Sequence, residues 1–536
     1  MSFPVPIMPP GELIFHFLNT VVLTALVASV VLWRYRVDVL AGMGSSSGQA
    51  LGIPAIAPAR TVTPSPPVDA QAWERQARWR IGLAYLGSVA LPALLLAVLQ
   101  LHVSDLPLTP AHIMLVGGSL LLAAVPMIAA SLALGFRRAV LLALGVLVSC
   151  AVLGTGVSML QRPFMGSRPS LDQLLNFFTF FQFAAVWLPL PMTLILLTGQ
   201  ARIRGVAPIT FAGLLVFGLA PVMGSRASAW LASTPGGSRL LFDIGLNGAF
   251  LAFTFPAALL GWWRLKGLAG AYQAKRFSDA QLLARTWWLM FCATLALELI
   301  SAAPARWPLV VAGTGTAYAL FPWLNGLLLA RTGLQHGRPP RRTLLLLRVF
   351  GYTARTERLF DRVGARWRLF GPVTMIAAPD VMARTIDPGD FLRFAGGRLA
   401  SSFVTSRGDL NTGLAALDQA PDPDGRYRVN EFCCRDDTWK ATVVELMDRA
   451  DAVLMDLRGL TPERGGCEFE LKQLYERLPA SRVVLAVDSE AVVAQVAALM
   501  PRLPVIVRFD KGSTAETDAL FAALLEAAEL LPASRD

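Results

Sequence analysis

The feature that most constrains this chain is the length of its apolar runs, which changes near residue 340. Before that point the runs are about twenty residues long, the length an α-helix needs to cross a bilayer core. Beyond it they shorten to strand length and the charge density rises. With 54% hydrophobic and 16% charged residues and a mean hydropathy of +0.52, the 536-residue chain is too apolar for a soluble protein of its size. The sequence therefore predicts an α-helical membrane bundle followed by a C-terminal α/β domain.

The long runs fall at residues 13–33, 81–101, 112–136, 139–160, 177–198, 206–223, 240–263, 286–303 and 309–330, nine expected spans. No Lys or Arg precedes the first, while Arg34 and Arg36 follow it, which places the N-terminus outside and argues against a cleaved signal peptide. Loops then expected inside carry Arg75, Arg78, Arg80, Arg137, Arg138, Arg202, Arg204, Arg264, Lys266, Lys275, Arg276 and Arg285. Those expected outside carry only Arg162, Arg168, Arg226, Arg239 and Arg306. This bias predicts a multi-pass protein of the cell inner membrane with its tail in the cytoplasm and the lipid bilayer as its first partner. The domains read as a first span over 1–36, a Gly/Ser/Pro-rich cytoplasmic loop over 37–80, an eight-span bundle over 81–330, a basic linker over 331–342 and an α/β domain over 343–536. Within 269–285, Ser278 is placed to cap a helix entering the eighth span. Glu298 and Asp243 are the ionisable residues of the spans and motivate a transporter reading, although no internal repeat supports it.

The net charge of +11 is mostly arginine and follows from these loops; no aromatic-interleaved basic motif points to nucleic acid, which is not an expected partner. The tail has no histidine beyond His336, so a Ser–His or Cys–His pair inside it is excluded. Cys433, Cys434 and Cys467 show no metal-ligand spacing, and no metal site is expected. No GxxxxGK[ST] or GxGxxG motif is present, which removes kinase, ATPase and dinucleotide-dehydrogenase readings, and no cofactor is expected.

In the tail, strands are expected at 344–350, 373–377, 427–433, 452–457, 483–487 and 505–508, and helices at 355–369, 390–404, 438–449, 467–477, 490–499 and 515–531. Short buried strands alternating with helices imply a parallel sheet covered on both faces. The polar stretch 406–425 reads as a lid or an insertion. Ligands of such sheets sit outside the carboxyl ends of the strands. That rule directs attention to residues 450–474, where an apolar strand ending near Asp456 passes through Gly459, Pro462, Gly465 and Gly466 into a helix carrying Cys467, Glu468 and Glu470.

The run Gly465-Gly466-Cys467-Glu468-Phe469-Glu470-Leu471 resembles two related flavodoxin-like groups. Cys467, Glu470 and Leu471 match the Cys-x-x-Glu-Leu pattern of the Toll/interleukin-1 receptor (TIR) domain. Gly466 and Glu470 match the Gly-Thr-x-x-Glu pattern of nucleoside 2-deoxyribosyltransferases, with Cys467 in place of the threonine. Arg464 replaces the acidic residue of the transferase pattern, and the Ser-x-Trp lead-in of the TIR cysteine is missing. The tail is also similar to those of bacterial multi-pass membrane proteins. The resemblance implies a flavodoxin-like (TIR-like) parallel sheet and a catalytic role for Glu470 at an N-glycosidic bond of a nucleoside or of NAD, the latter as substrate. A fixed carboxylate suits that chemistry, since it stabilises or attacks an oxocarbenium centre. Phe350, Tyr352 and Trp439 are candidates to stack a base and Arg348 or Arg355 to meet a phosphate. Asp456, Gly466 and Cys467 complete the expected ligand-binding set. The activity expected is nucleotide or NAD binding and hydrolysis in signalling or defence. The alternatives are a non-catalytic signalling module that self-associates through the tail, or a transporter regulated by it. The plainer reading of Glu470 is a solvated carboxylate favoured by a helix N-terminus.

Overall fold

A computed structural model describes, apart from isolated positions, residues 33–43, 50–56, 69–125, 234–334, 339–348, 354–377, 403–435, 437–460, 465–510 and 512–530. The chain divides into two compact units. One contains 82–331 and the other contains 32–81 with nearly all of 332–536.

The first unit is helical. Its described helices are α1 (Ala70–Val103), α2 (Pro110–Ala123), α3 (Pro235–Gln273), α4 (Asp279–Ala302) and α5 (Trp307–Arg331). The division between the units falls within α1, after Ile81. Helix α1 is the described helix long and apolar enough to cross a membrane. The expected spans at 139–160, 177–198 and 206–223 lie almost wholly outside the described residues, as does most of 13–33. Ser278 caps α4 as expected, and Gln281 completes a capping box by accepting the Ser278 N–H at 2.9 Å. Gln281 then donates to Asn325 at 2.8 Å, and Asn325 to Ser88 at 3.2 Å, a buried polar chain joining α4, α5 and α1. Around it Trp287, Trp288, Phe291 and Phe321 pack with ring centroids 5.3 to 6.5 Å apart.

The second unit is built on a seven-stranded parallel sheet. Its strands are β1 (Leu344–Arg348), β2 (Val373–Ala377), β3 (Phe403–Val404), β4 (Val429–Cys434), β5 (Ala452–Asp456), β6 (Val483–Val487) and β7 (Val505–Arg508). Strands β1, β5 and β6 are buried at every residue, as apolar runs between two helical layers must be. The helices are α6 (Ala354–Trp367), α7 (Arg407–Ala415), α8 (Trp439–Met447), α9 (Gly465–Arg477), α10 (Glu490–Leu499) and α11 (Thr514–Ala527). Apolar residues of α8, α9 and α10 share one core cluster with Leu345, Leu347, Val453, Met455, Val483 and Leu485. Helices α6 and α11 meet through Trp367 and Phe521, whose rings lie 6.3 Å apart. The strand order is β3-β4-β2-β1-β5-β6-β7. Setting aside β3 and β4, it is the 2-1-3-4-5 order of doubly wound sheets, with its switch point between β1 and β5.

Three expectations change. Residues 403–404, expected at the end of a helix over 390–404, form β3 beside Cys433 and Cys434. The stretch 406–425, expected as a polar lid or insertion without secondary structure of its own, carries a helix. Ser406 caps α7 through the Asp409 N–H, and Asp422 is held by Arg428 at 2.9 Å. The described parts of 37–80, expected as a Gly/Ser/Pro-rich cytoplasmic loop, include helix and pack on the α/β domain. Residues 33–43 are helical and bury Tyr35, Val39 and Met43 at four-residue intervals. Tyr35 meets Phe394 edge-on at 5.4 Å. Arg75, Arg78 and Arg80, expected in a loop, lie on α1. There Glu74, 5% exposed, receives Arg366 at 2.9 Å, and Trp73 packs on Phe370 at 5.4 Å.

Candidate functional site

Strands β1 and β5 run in register, so that Arg348 and Asp456 end them as direct partners. The turn after β5 then returns the chain into α9, whose apolar stripe Cys467, Leu471 and Leu474 is fully buried against the sheet. That seating fixes the rotation of α9. It carries Glu470 inward too, to 4% exposure, rather than into solvent as the plainer reading had it. Glu470 Oε2 has no hydrogen-bond partner among the described residues. Burial pushes the Glu470 carboxyl up to about 8, against the pull of the Arg348 guanidinium, which favours the ionised form. A buried carboxyl that is largely protonated at neutral pH, beside a buried arginine at a switch point, is a perturbed acid of the kind found at functional sites.

Asp456 is differently placed. Arg458 grips it through Nε and Nη2, each 2.8 Å away, and through its backbone N–H at 3.2 Å. The carboxylate is thus occupied by its own strand-end arginine, and Arg458 lies in turn over the Phe509 ring at 4.9 Å. Gly459 follows with φ of +73° and donates its N–H to Asp488 at 3.2 Å. Glycine adopts that left-handed backbone without the Cβ clash other residues suffer. Arg458, Asp488 and Phe509 therefore wall the β5–β6–β7 side. The sequence signal for them is position alone, since each lies within two residues of the carboxyl end of a strand.

The other expected residues divide. Gly466 stands half-buried in the first turn of α9. Cys467 is a fully buried thiol within the core cluster. Trp439 opens α8 and packs edge-on against Phe469 at 5.6 Å, with Lys440 over both rings. Arg355 lies on α6, with its side chain outside the described residues, as Phe350 and Tyr352 are entirely. Of the carboxylates in the expected spans, Asp243 is exposed on α3, and the Glu298 side chain on α4 is outside the described residues. Among the described residues no cluster of His, Cys, Asp and Glu could hold a metal ion.

Arg348, Asp456 and Glu470 are thus brought to one end of the sheet, with Gly466 at the head of the same helix. Comparison with protein-family models, with curated proteins and with solved structures gives no match to this chain.

Proposed function

We propose that the α/β domain is a flavodoxin-like, TIR-like module that binds a nucleotide or NAD-like ligand at the β1–β5 switch point and hydrolyses its N-glycosidic bond. The observation that carries this reading is the buried Glu470 carboxyl beside Arg348. Arg348 supplies a fixed positive charge for a phosphate oxygen. Glu470 starts largely protonated at neutral pH. A cationic nicotinamide ring entering the site favours the ionised form, and the proton leaves. As the C–N bond breaks, its electron pair goes to the departing ring and positive charge grows at the anomeric carbon. The Glu470 carboxylate stabilises that charge and then takes the proton of the water that attacks it.

The same reading makes the chain a multi-pass protein of the inner membrane, N-terminus outside and α/β domain cytoplasmic, acting in signalling or defence. Its support is the arginine bias of the loops, together with an α1 that is long and apolar enough to span.

The test uses the full chain in liposomes, incubated with NAD and separately with nucleosides, with release of the base followed by chromatography. Turnover lost in Glu470→Ala supports the proposal. No turnover, or turnover unchanged in Glu470→Ala, removes it.

A second reading, a non-catalytic module that self-associates, is favoured by one observation. Among the described residues β7 pairs with β6 alone and leaves Val505 at the sheet edge, 39% exposed. Oligomers that persist in Glu470→Ala without any base release select it.

A further inference from the structure

Residues 51–56 (Leu-Gly-Ile-Pro-Ala-Ile) lie on the helical face of the α/β domain, against residues 355 to 423 positions further along the chain. Their backbone is gripped at both ends. The Leu51 N–H donates to the Asp437 carbonyl at 3.2 Å, just ahead of α8. Arg407 donates to the Gly52 carbonyl at 3.3 Å. Arg477, in the last turn of α9, donates to the Pro54 carbonyl at 2.6 Å and to the Ala55 carbonyl at 3.3 Å. Leu51 packs on the core cluster, whereas Ile53 and Ile56 stand 49% and 58% exposed.

Arg477 is built for this contact. Its side chain is only 3% exposed. Nε goes to Gln473 at 2.9 Å, and Nη1 reaches Asp448 at 3.1 Å, which ties α9 to the end of α8. The remaining guanidinium edge faces the Pro54 carbonyl. A buried arginine whose outer edge reads main-chain oxygens is a receptor for extended backbone, indifferent to the side chains that backbone carries. Proline at position 54 holds Ile53 extended and lowers the entropy lost on docking.

We propose that residues 51–56 form a releasable strap, a built-in peptide ligand for the groove between α8 and α9, whose docking restrains the helix that carries Glu470. Glu470, Gln473 and Arg477 lie along one face of α9 at three- and four-residue spacing, and the strap is fastened to that face at its far end. With Leu51 on the core cluster and Ile53 and Ile56 exposed, the strap is of the kind that opens without global unfolding. This inference concerns docking and does not require that the site be catalytic.

The experiment is hydrogen exchange at single-residue resolution on the full chain in detergent micelles, for the wild type, Arg477→Ala and Pro54→Gly. The second variant loosens the strap and leaves every side chain of the α/β domain in place. The expected result is a Leu51 amide that exchanges at least tenfold faster in Arg477→Ala and several-fold faster in Pro54→Gly. Amides of 465–477 should speed up in both variants, and those of β5 and β6 should keep their protection. An unprotected Leu51 amide in the wild type overturns the proposal. So does a Leu51 rate unchanged in Pro54→Gly, whatever Arg477→Ala does to the fold. Faster exchange at Leu51 with 465–477 unmoved overturns the restraint on α9. Base release from NAD, measured in parallel, reports separately on the hydrolase reading.

Discussion

Arg348 and Asp456 are register partners at the ends of adjacent parallel strands, yet they serve different neighbours. Asp456 is forked by Arg458, whereas the charge of Arg348 acts on Glu470 across the switch point. Two carboxylates within one strand–turn–helix unit therefore carry opposite characters. One is ion-paired and buried; the other is buried, with its proton favoured. Such a separation of environments is how a protein assigns an acid and a charged group to one site.

Glu470 makes folding stability depend on pH. Its carboxyl titrates near 8 in the fold, above the ordinary carboxylate value of 4.5. Below the ordinary value both states hold the proton and the group is neutral to stability. Between the two values only the folded state holds it. The unfolded state gains from ionisation as pH rises, and the contribution present at low pH is lost until the curve levels above pH 8. From pH 5 to 8 the loss is at most about 4 kcal/mol. Chemical unfolding across this range should show the slope in the wild type and its absence in Glu470→Gln, with the variant the more stable at pH 8.

Arg348 tempers that shift, so Arg348→Met should raise the Glu470 pKa further. The expected outcome is a stability curve that goes on falling to a higher pH before it levels. The measurement is the pH at which the curve flattens, a quantity insensitive to the packing that Arg348→Met also removes. A flattening point unmoved or moved down would disconnect the two residues.

Much of this site was legible because its determinants are local. An apolar run closed by Asp456, a glycine-bearing turn and a helix with Cys467, Glu470 and Leu471 at fixed spacing define strand, reversal and helix together. The capping box at Ser278 and Gln281 was legible for the same reason. What sequence did not reveal is contact between distant segments. The 37–80 region has the Gly/Ser/Pro composition of a free loop, but its residues 52, 54 and 55 are held by arginines far along the chain, which bond to carbonyls that every residue possesses. Strand β3 has two residues, too few for periodicity to announce. The inward turn of Glu470 also escaped a reading based on helix ends, since the burial of Leu471 and Leu474 sets the rotation of α9.

Gly371 is a position of close approach. A Cβ there would overlap the carbonyl oxygen of Arg342, where the chain enters β1. Backbone rather than a flexible side chain would have to yield, so Gly371→Ala should cost at least about 2–3 kcal/mol. Gly364→Ala is the matched control, since a Cβ at that helical position meets nothing within 4 Å. It should be neutral or slightly stabilising, because alanine is the better helix former. Thermal unfolding of the two variants side by side checks the contrast.

Arg366 anchors the first turns of α1 to the α/β domain. It gives Nε and Nη2 to Glu74 at 3.0 and 2.9 Å and Nη1 to Asp518 at 2.6 Å, and its guanidinium lies 3.9 Å from the Phe521 ring centroid. Glu74 is 5% exposed and, among the described residues, also pairs with Arg78 at 2.8 Å. Arg366→Met therefore leaves a buried carboxylate half-compensated and should destabilise the fold by about 2–4 kcal/mol. Glu74→Leu in the wild-type background leaves Arg366 with Asp518 and the aromatic ring, and should cost less. The double variant Glu74→Leu/Arg366→Met removes both charges and replaces them with apolar volume, so it should recover part of the loss of Arg366→Met alone. Unfolding midpoints of the four proteins at one pH measure the coupling. If the double variant falls by the sum of the singles, the pair is not coupled, and α1 must be held to the domain by the packing of Trp73 on Phe370 instead.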